Sequence, residues 1–180
     1  MKGLFRRYPI GIQNFEQLRK GGYVYVDKTE LVYRLANMNT TYFFNRPRRF
    51  GKSLLVSTLE AYFQGKKELF EGLAMERLEK EWNVYPVLHI DFSMTKYTEF
   101  SDLTGQLNLN LLRWEELYGK NEAENTPAER FTGVIQRAYK QTGKPVVVLI
   151  DEYDAPMLDS NHHIESVSYT HLRAHETPEH

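Results

Sequence analysis

The apolar positions of this 180-residue chain fall into two rhythms, one helical and one of strand type, separated by glycine, proline and short polar runs. "NFEQLRK" (14–20) predicts a short helix capped by Asn14 and closed by Gly21-Gly22. "YVYV" (23–26) is β-prone and leads into Asp27-Lys28-Thr29, a cap for a helix reaching about Asn37. "TTYFF" (40–44) reads as a short apolar strand, and "SLLVSTLEAYFQ" has helical spacing that stops before Gly65. A polar, partly helical stretch runs on to Trp82. "PVLHIDFS" (86–93) then reads as a strand, with Pro86 at its start, where a missing N–H does least harm.

Farther on, Leu103, Leu107, Leu111, Trp114 and Tyr118 form one helical stripe across residues 101–118. "NTPAERF" is a helix start with Thr126 as N-cap, Pro127 at the first position and Glu129 at the third. That helix ends near Thr142-Gly143, and "KPVVVLIDEYD" follows. Val146 to Ile150 is a continuous apolar run of strand length, which predicts a strand buried on both faces. Strands alternating with helices predict an α/β fold: a mainly parallel sheet with helices on both faces.

Composition narrows this picture in three ways. A net charge of −1 gives no global attraction to nucleic acid, so any such binding must come from a local patch. The absence of cysteine excludes disulfides and thiolate metal sites and suits a reducing cytoplasm. The start of the chain has no apolar leader and "VVVLI" is too short to span a bilayer, so a cytoplasmic protein without membrane contact is expected. The end differs in kind: His162, His163, His171, His175 and His180 crowd there, and apolar periodicity stops. His171 and His175 have the spacing of a zinc-binding helix but lack a further ligand placed to complete it. "VSYTHLRAHET" (167–177) reads instead as translated adaptor sequence from DNA library preparation, which makes residues 166–180 a non-native, unstructured tail.

The chemistry concentrates in "FFNRPRRFGKSLL" (43–55). Its Gly51-Lys52-Ser53 matches the close of the phosphate-loop pattern G-x-x-x-x-G-K-[ST], while Arg46 stands where the first glycine belongs. Such a loop works because backbone N–H groups at a helix N-terminus converge on phosphate oxygens. Gly51 lets the backbone approach, Lys52 reaches the outer phosphates, and the Ser53 hydroxyl ligates Mg²⁺. Arg46, Pro47, Arg48, Arg49, Phe50 and Leu54 complete the candidate nucleotide-binding set with Gly51, Lys52 and Ser53. The second half of the signal is "VVVLIDE", an apolar strand ending in Asp151 and Glu152, where a strand's C-terminal end meets a ligand crevice. Asp151 is expected to hold Mg²⁺, and Glu152 to activate water as general base, with Lys52 as its catalytic partner. A buried strand ending in a solvated acidic turn is the bland alternative, and for each arginine it is a solvated surface residue.

"PIGIQNFEQLRKGGYVYVDKTELV", "RPRRFGKSLL", "LFEGL" and "VVLIDEYDAPM" together resemble the AAA-ATPase-like family of bacterial proteins, over roughly residues 8 to 160. In that family the arginine-rich loop without its first glycine is the usual form. The resemblance implies a P-loop NTPase core, a three-layer parallel sheet with helices on both faces that is incomplete here at its C-terminal side. It divides the chain into an N-terminal helix–strand–helix segment (1–39), a truncated ATPase core (40–165) and the tail (166–180). Members commonly continue into a nuclease-like domain, through which nucleic acid would be bound, and a homo-oligomer of the full-length protein is compatible with the family.

The expected function is therefore ATP-Mg²⁺ binding and hydrolysis that drives a conformational change in an attached domain. The alternatives are an ATP-binding regulatory module that does not hydrolyse, and a nucleic-acid module using the arginine loop. Lys28 in "YVDKTEL" reads as a solvated helix-start lysine or a contact to the base or a neighbouring subunit. His89 reads as a satisfied core histidine, Trp114 as core, and Asp91 as a strand-end group of open role.

Overall fold

The computed structural model describes residues 7–38, 41–44, 50–94 and 96–156. Its elements in chain order are α1 (Phe15–Lys20), α2 (Thr29–Ala36), α3 (Lys52–Phe63), α4 (Ala74–Leu78), β1 (Val87–Asp91), α5 (Phe100–Tyr118), α6 (Pro127–Thr142) and β2 (Val147–Asp151), with short 3-10 turns at Lys67–Phe70 and Phe92–Met94. The caps expected at Asn14 and Thr126 are present. The Asn14 side chain accepts the Gln17 N–H, and Thr126 and Glu129 satisfy each other's backbone N–H groups across the first turn of α6. Helix α5 has a box of the same kind, between Glu99 and Asp102, that its sequence did not reveal.

Strands β1 and β2 pair in parallel, with Val87 opposite Val147 and Asp91 opposite Asp151. Side chains alternate across this pair. Leu88 and Ile90 point into a core with Phe92, Tyr97, Leu111, Trp114 and Val134, which seats α5 and α6 on one face. His89 points the other way, to Glu60 of α3. The described sheet is thus small, parallel and covered by helices on both faces, consistent with an α/β fold. A second core joins α1 to α4 through Phe15, Val32, Ala61, Tyr62, Phe70 and Met75.

Three strand expectations need correction. Residues 23–26 form no strand, although the Val24 N–H donates to the Arg7 carbonyl, and residues 41–44 are not in a strand either. One isolated bond does not make a ladder, and an apolar composition alone does not supply one. The run at 146–150 does form a strand but is not buried on both faces. Val148 is 39% and Ile150 48% exposed, since α5 and α6 cover the β1 half of that face and stop short of β2. The loop arginines Arg46, Arg48 and Arg49, with Pro47 and the tail 166–180, lie outside the described residues.

Buried charge clasps the helices. Glu115 of α5 is 6% exposed and takes two bonds from Arg130 of α6, at 2.7 and 2.8 Å, while Arg130 also donates to Asn108. Arg137 holds Glu124 in a similar fork, and the carboxylate of Glu124 fills the space where a Cβ at Gly133 would stand. This accounts for a glycine in mid-helix, a residue that propensity alone disfavours. The string "YVDKTEL" is explained in part: Asp27 accepts the N–H and hydroxyl of Thr29 and the N–H of Ala74, and the Thr29 hydroxyl accepts the N–H of Met75. Lys28 between them is exposed.

Replacing Arg130 by Met strands a buried carboxylate and is expected to cost about 3 kcal/mol in urea unfolding, with part regained when Glu115→Gln is added. The bonds from Arg130 hold the Glu115 carboxyl below the usual carboxylate range. Its stabilisation is therefore present above the unfolded-state value and is lost as pH falls through the folded one. The acid side of a stability–pH curve should flatten in the double variant, and an unchanged slope would count against the clasp.

Candidate functional site

Gly51 ends the phosphate-loop string and begins α3. Its φ of 77° lies in the left-handed region, and nothing stands within 4 Å of the position a Cβ would take. Backbone conformation, not crowding, selects glycine here. The first bond of the helix ladder runs from the Leu55 N–H to the Gly51 carbonyl, so the N–H groups of Lys52, Ser53 and Leu54 stand ahead of that ladder at the positive end of the helix. Phe50 is exposed, Ser53 is half-buried, and Leu54 packs against the core shared by α1 to α4.

Helix α3 is aimed by bonds farther along it. The Ser57 hydroxyl accepts the Phe15 N–H of α1 at 3.0 Å and donates to the Leu54 carbonyl. Glu60 meets His89 Nδ1 of β1 at 3.0 Å. His89 is therefore not the satisfied core histidine its alternation predicted. One ring nitrogen joins β1 to α3, and the other, Nε2, is buried with no hydrogen-bond partner among the described residues. Only a residue from a distant element could have revealed this pairing, and no local pattern signals it.

At the far end of the sheet, Asp151 is buried and its Oδ1 accepts the N–H of Glu152 at 2.9 Å. Glu152 has a φ of 50°, an uncommon conformation for a residue with a Cβ, and its carbonyl accepts the Ala155 N–H. This turn delivers the Glu152 carboxylate to Lys52, Oε2 to Nζ 3.6 Å, with side chains 26% and 14% exposed. Next to it the ring of Tyr153 lies 4.9 Å from that of Phe43, which precedes the loop. Asp91 is level with Asp151 across the strands and accepts the Ser93 N–H. Asp154, absent from the expected site, has a buried Oδ1 without a hydrogen-bond partner among the described residues.

The two halves of the motif, far apart in the chain, thus meet at the C-terminal end of β2. A family model described as "Predicted AAA-ATPase" matches residues 9–175. The chain belongs to that family. It is also similar to an uncharacterized protein in the vnfD 5' region of Azotobacter chroococcum mcd 1, 40% identical over 156 residues. That match covers 86% of this chain and 30% of the relative, so the chain spans less than a third of the relative's length. No solved structure matches the chain.

Membership in this family supports nucleotide binding in general. The donor set is of a kind that suits a phosphate: N–H groups at the head of α3 that meet no acceptor among the described residues, an ammonium, and a position beside it that already receives a carboxylate oxygen. Among the described residues, no group of three or more His, Asp or Glu side chains is arranged to hold a metal ion, and no helix is long and apolar enough to cross a membrane.

The bond to Glu60 raises the proton affinity of His89 above its ordinary value, against the opposing effect of burial. With a raised folded-state value, the pair's stabilisation is complete below the unfolded value, about 6.5, and is lost as pH rises through the folded one. Urea midpoints should fall between about pH 6 and pH 9 in the wild type. Glu60→Gln should remove most of that slope; a slope that survives would separate it from this pair.

Proposed function

We propose that the chain binds ATP with Mg²⁺ and, within the longer protein, hydrolyses it to drive a conformational change in an attached domain. The observation that carries this reading is the approach of Lys52 to Glu152, which joins the loop at the head of α3 to the acidic turn after β2. Residues 40–165 are read as the ATPase core and residues 1–39 as a supporting segment, with the three-layer parallel sheet completed by sequence outside this chain.

In this reading the N–H groups of Gly51, Lys52, Ser53 and Leu54, with the loop residues Arg46, Pro47, Arg48, Arg49 and Phe50, surround the phosphates. Lys52 supplies the main side-chain charge, a geometry-tolerant point contact to the outer phosphates. The Ser53 hydroxyl and the Asp151 carboxylate would hold Mg²⁺, a cation that takes one or two protein ligands and completes its shell with phosphate oxygens and water. Bound there, the metal would neutralise charge on those oxygens. Glu152 orients a water and accepts its proton as general base. A carboxylate directly after the strand-end Asp suits water activation better than transfer to a bound acceptor.

Calorimetric titration with ATP-Mg²⁺ tests the binding half. Lys52→Ala should weaken affinity by about 2–3 kcal/mol, the scale of a charge-assisted bond to a desolvated phosphate. Equal affinity of the two proteins would argue against the site. The chemical half is read in single-turnover assays on a full-length protein. Glu152→Gln should retain binding and lose nearly all turnover, whereas Asp151→Asn should weaken the Mg²⁺-dependent part of binding. Undiminished turnover in Glu152→Gln would remove Glu152 from the catalytic role. Absence of turnover in the wild type would favour a regulatory ATP-binding module, and oligonucleotide binding that ignores ATP would favour the nucleic-acid reading.

A further inference from the structure

The ion pair between Lys52 and Glu152 has a consequence beyond joining two motifs. Lys52 is largely withdrawn from water, and an ammonium in that position needs a counter-anion whenever phosphate is absent. The positive end of α3 adds to this demand. Glu152 meets it, and does so from a backbone that is held in place. Its N–H is bonded to Asp151 Oδ1 and its carbonyl to the Ala155 N–H, around a left-handed residue. Such a conformation is strained for a residue with a Cβ and persists where its neighbours impose it. The turn thus fixes where the carboxylate starts, and only its side-chain torsions are left to move.

We infer that Glu152 is a built-in competitor for phosphate: its carboxylate stands on the Lys52 ammonium, and an entering phosphate must displace it. This rests on the nucleotide reading above. Phosphate and carboxylate are both anions drawn to one ammonium, and they repel each other across it. Entry of a phosphate group therefore expels the Glu152 side chain from Lys52 and frees the carboxylate from that ammonium. The pair keeps the general base engaged with an ammonium, and phosphate binding releases it. Loading of the loop and readiness to activate water become a single event, and the pair lowers the affinity for every phosphate ligand by the free energy of breaking it.

The test uses the 180-residue chain with ADP in EDTA, which removes metal binding and turnover from the comparison. Glu152→Gln and Glu152→Gly should each bind ADP about threefold or more tightly than wild type, the scale of a partly exposed ion pair. Glycine suits the left-handed backbone, so its variant guards against misfolding of the turn. Asp154→Asn removes a negative charge from the same turn without touching the pair, and a gain equal to that of Glu152→Gln would overturn the inference in favour of general electrostatics. A second readout needs no nucleotide: acylation of the Lys52 amine, followed by mass spectrometry, should be several-fold faster in both Glu152 variants. An unchanged labelling rate overturns the pair itself. Unchanged ADP affinity in both Glu152 variants, with Lys52→Ala still weakening ADP, overturns the competition and leaves the nucleotide reading intact. If Lys52→Ala leaves ADP affinity unaltered, the nucleotide reading fails and the competition fails with it.

Discussion

Two parallel strands cannot be joined by a tight turn, and the pairing of β1 with β2 therefore governs the chain between them. The connection must leave one end of the sheet, cross a face and return to the other end. Helices α5 and α6 make that crossing and bury Leu88 and Ile90 beneath Leu111, Trp114 and Val134. The same pairing turns His89 toward α3 and sets Asp91 level with Asp151. Because both strands end at the same level, whatever follows β2 emerges beside the head of α3. The meeting of Glu152 with Lys52 depends on this register, and a slip by one residue would turn Asp151 to the opposite face.

Charge is used unevenly in this molecule. The exposed pairs along single helices, such as Lys20 with Glu16 and Arg34 with Glu30, are screened by water and contribute little. Two pairs that tie α6 to the chain before it are withdrawn from water: Arg130 with Glu115 and Arg137 with Glu124. Their value lies in specificity of packing, since a misplaced α6 would leave those charges buried and alone. Lys52 and Glu152 belong to the same class by burial but not by consequence, because in the reading proposed above a phosphate ligand replaces the carboxylate.

The sequence by itself determined the elements with local causes. Asn14, Thr126-Pro127 and Gly143 act through bonds and dihedrals within a turn or two, so their effect could be read without knowing what lies beyond. The same holds for Gly51 at the start of α3, and the quoted motifs were enough to place the chain in its family. What depended on distant partners was illegible. Residues 41–44 and 146–150 share an apolar, β-prone composition, yet among the described residues only the second lies in a strand, where β1 pairs with it. Periodicity could not say that the helices stop short of Val148 and Ile150, because the covering surface comes from another part of the chain. The tertiary structure alone decided that His89 would meet Glu60, that Gly133 would make room for the Glu124 carboxylate, and that Glu152 would stand on Lys52. Each of these is a contact between residues far apart in sequence, where direction and distance are set by packing and leave no trace in local pattern.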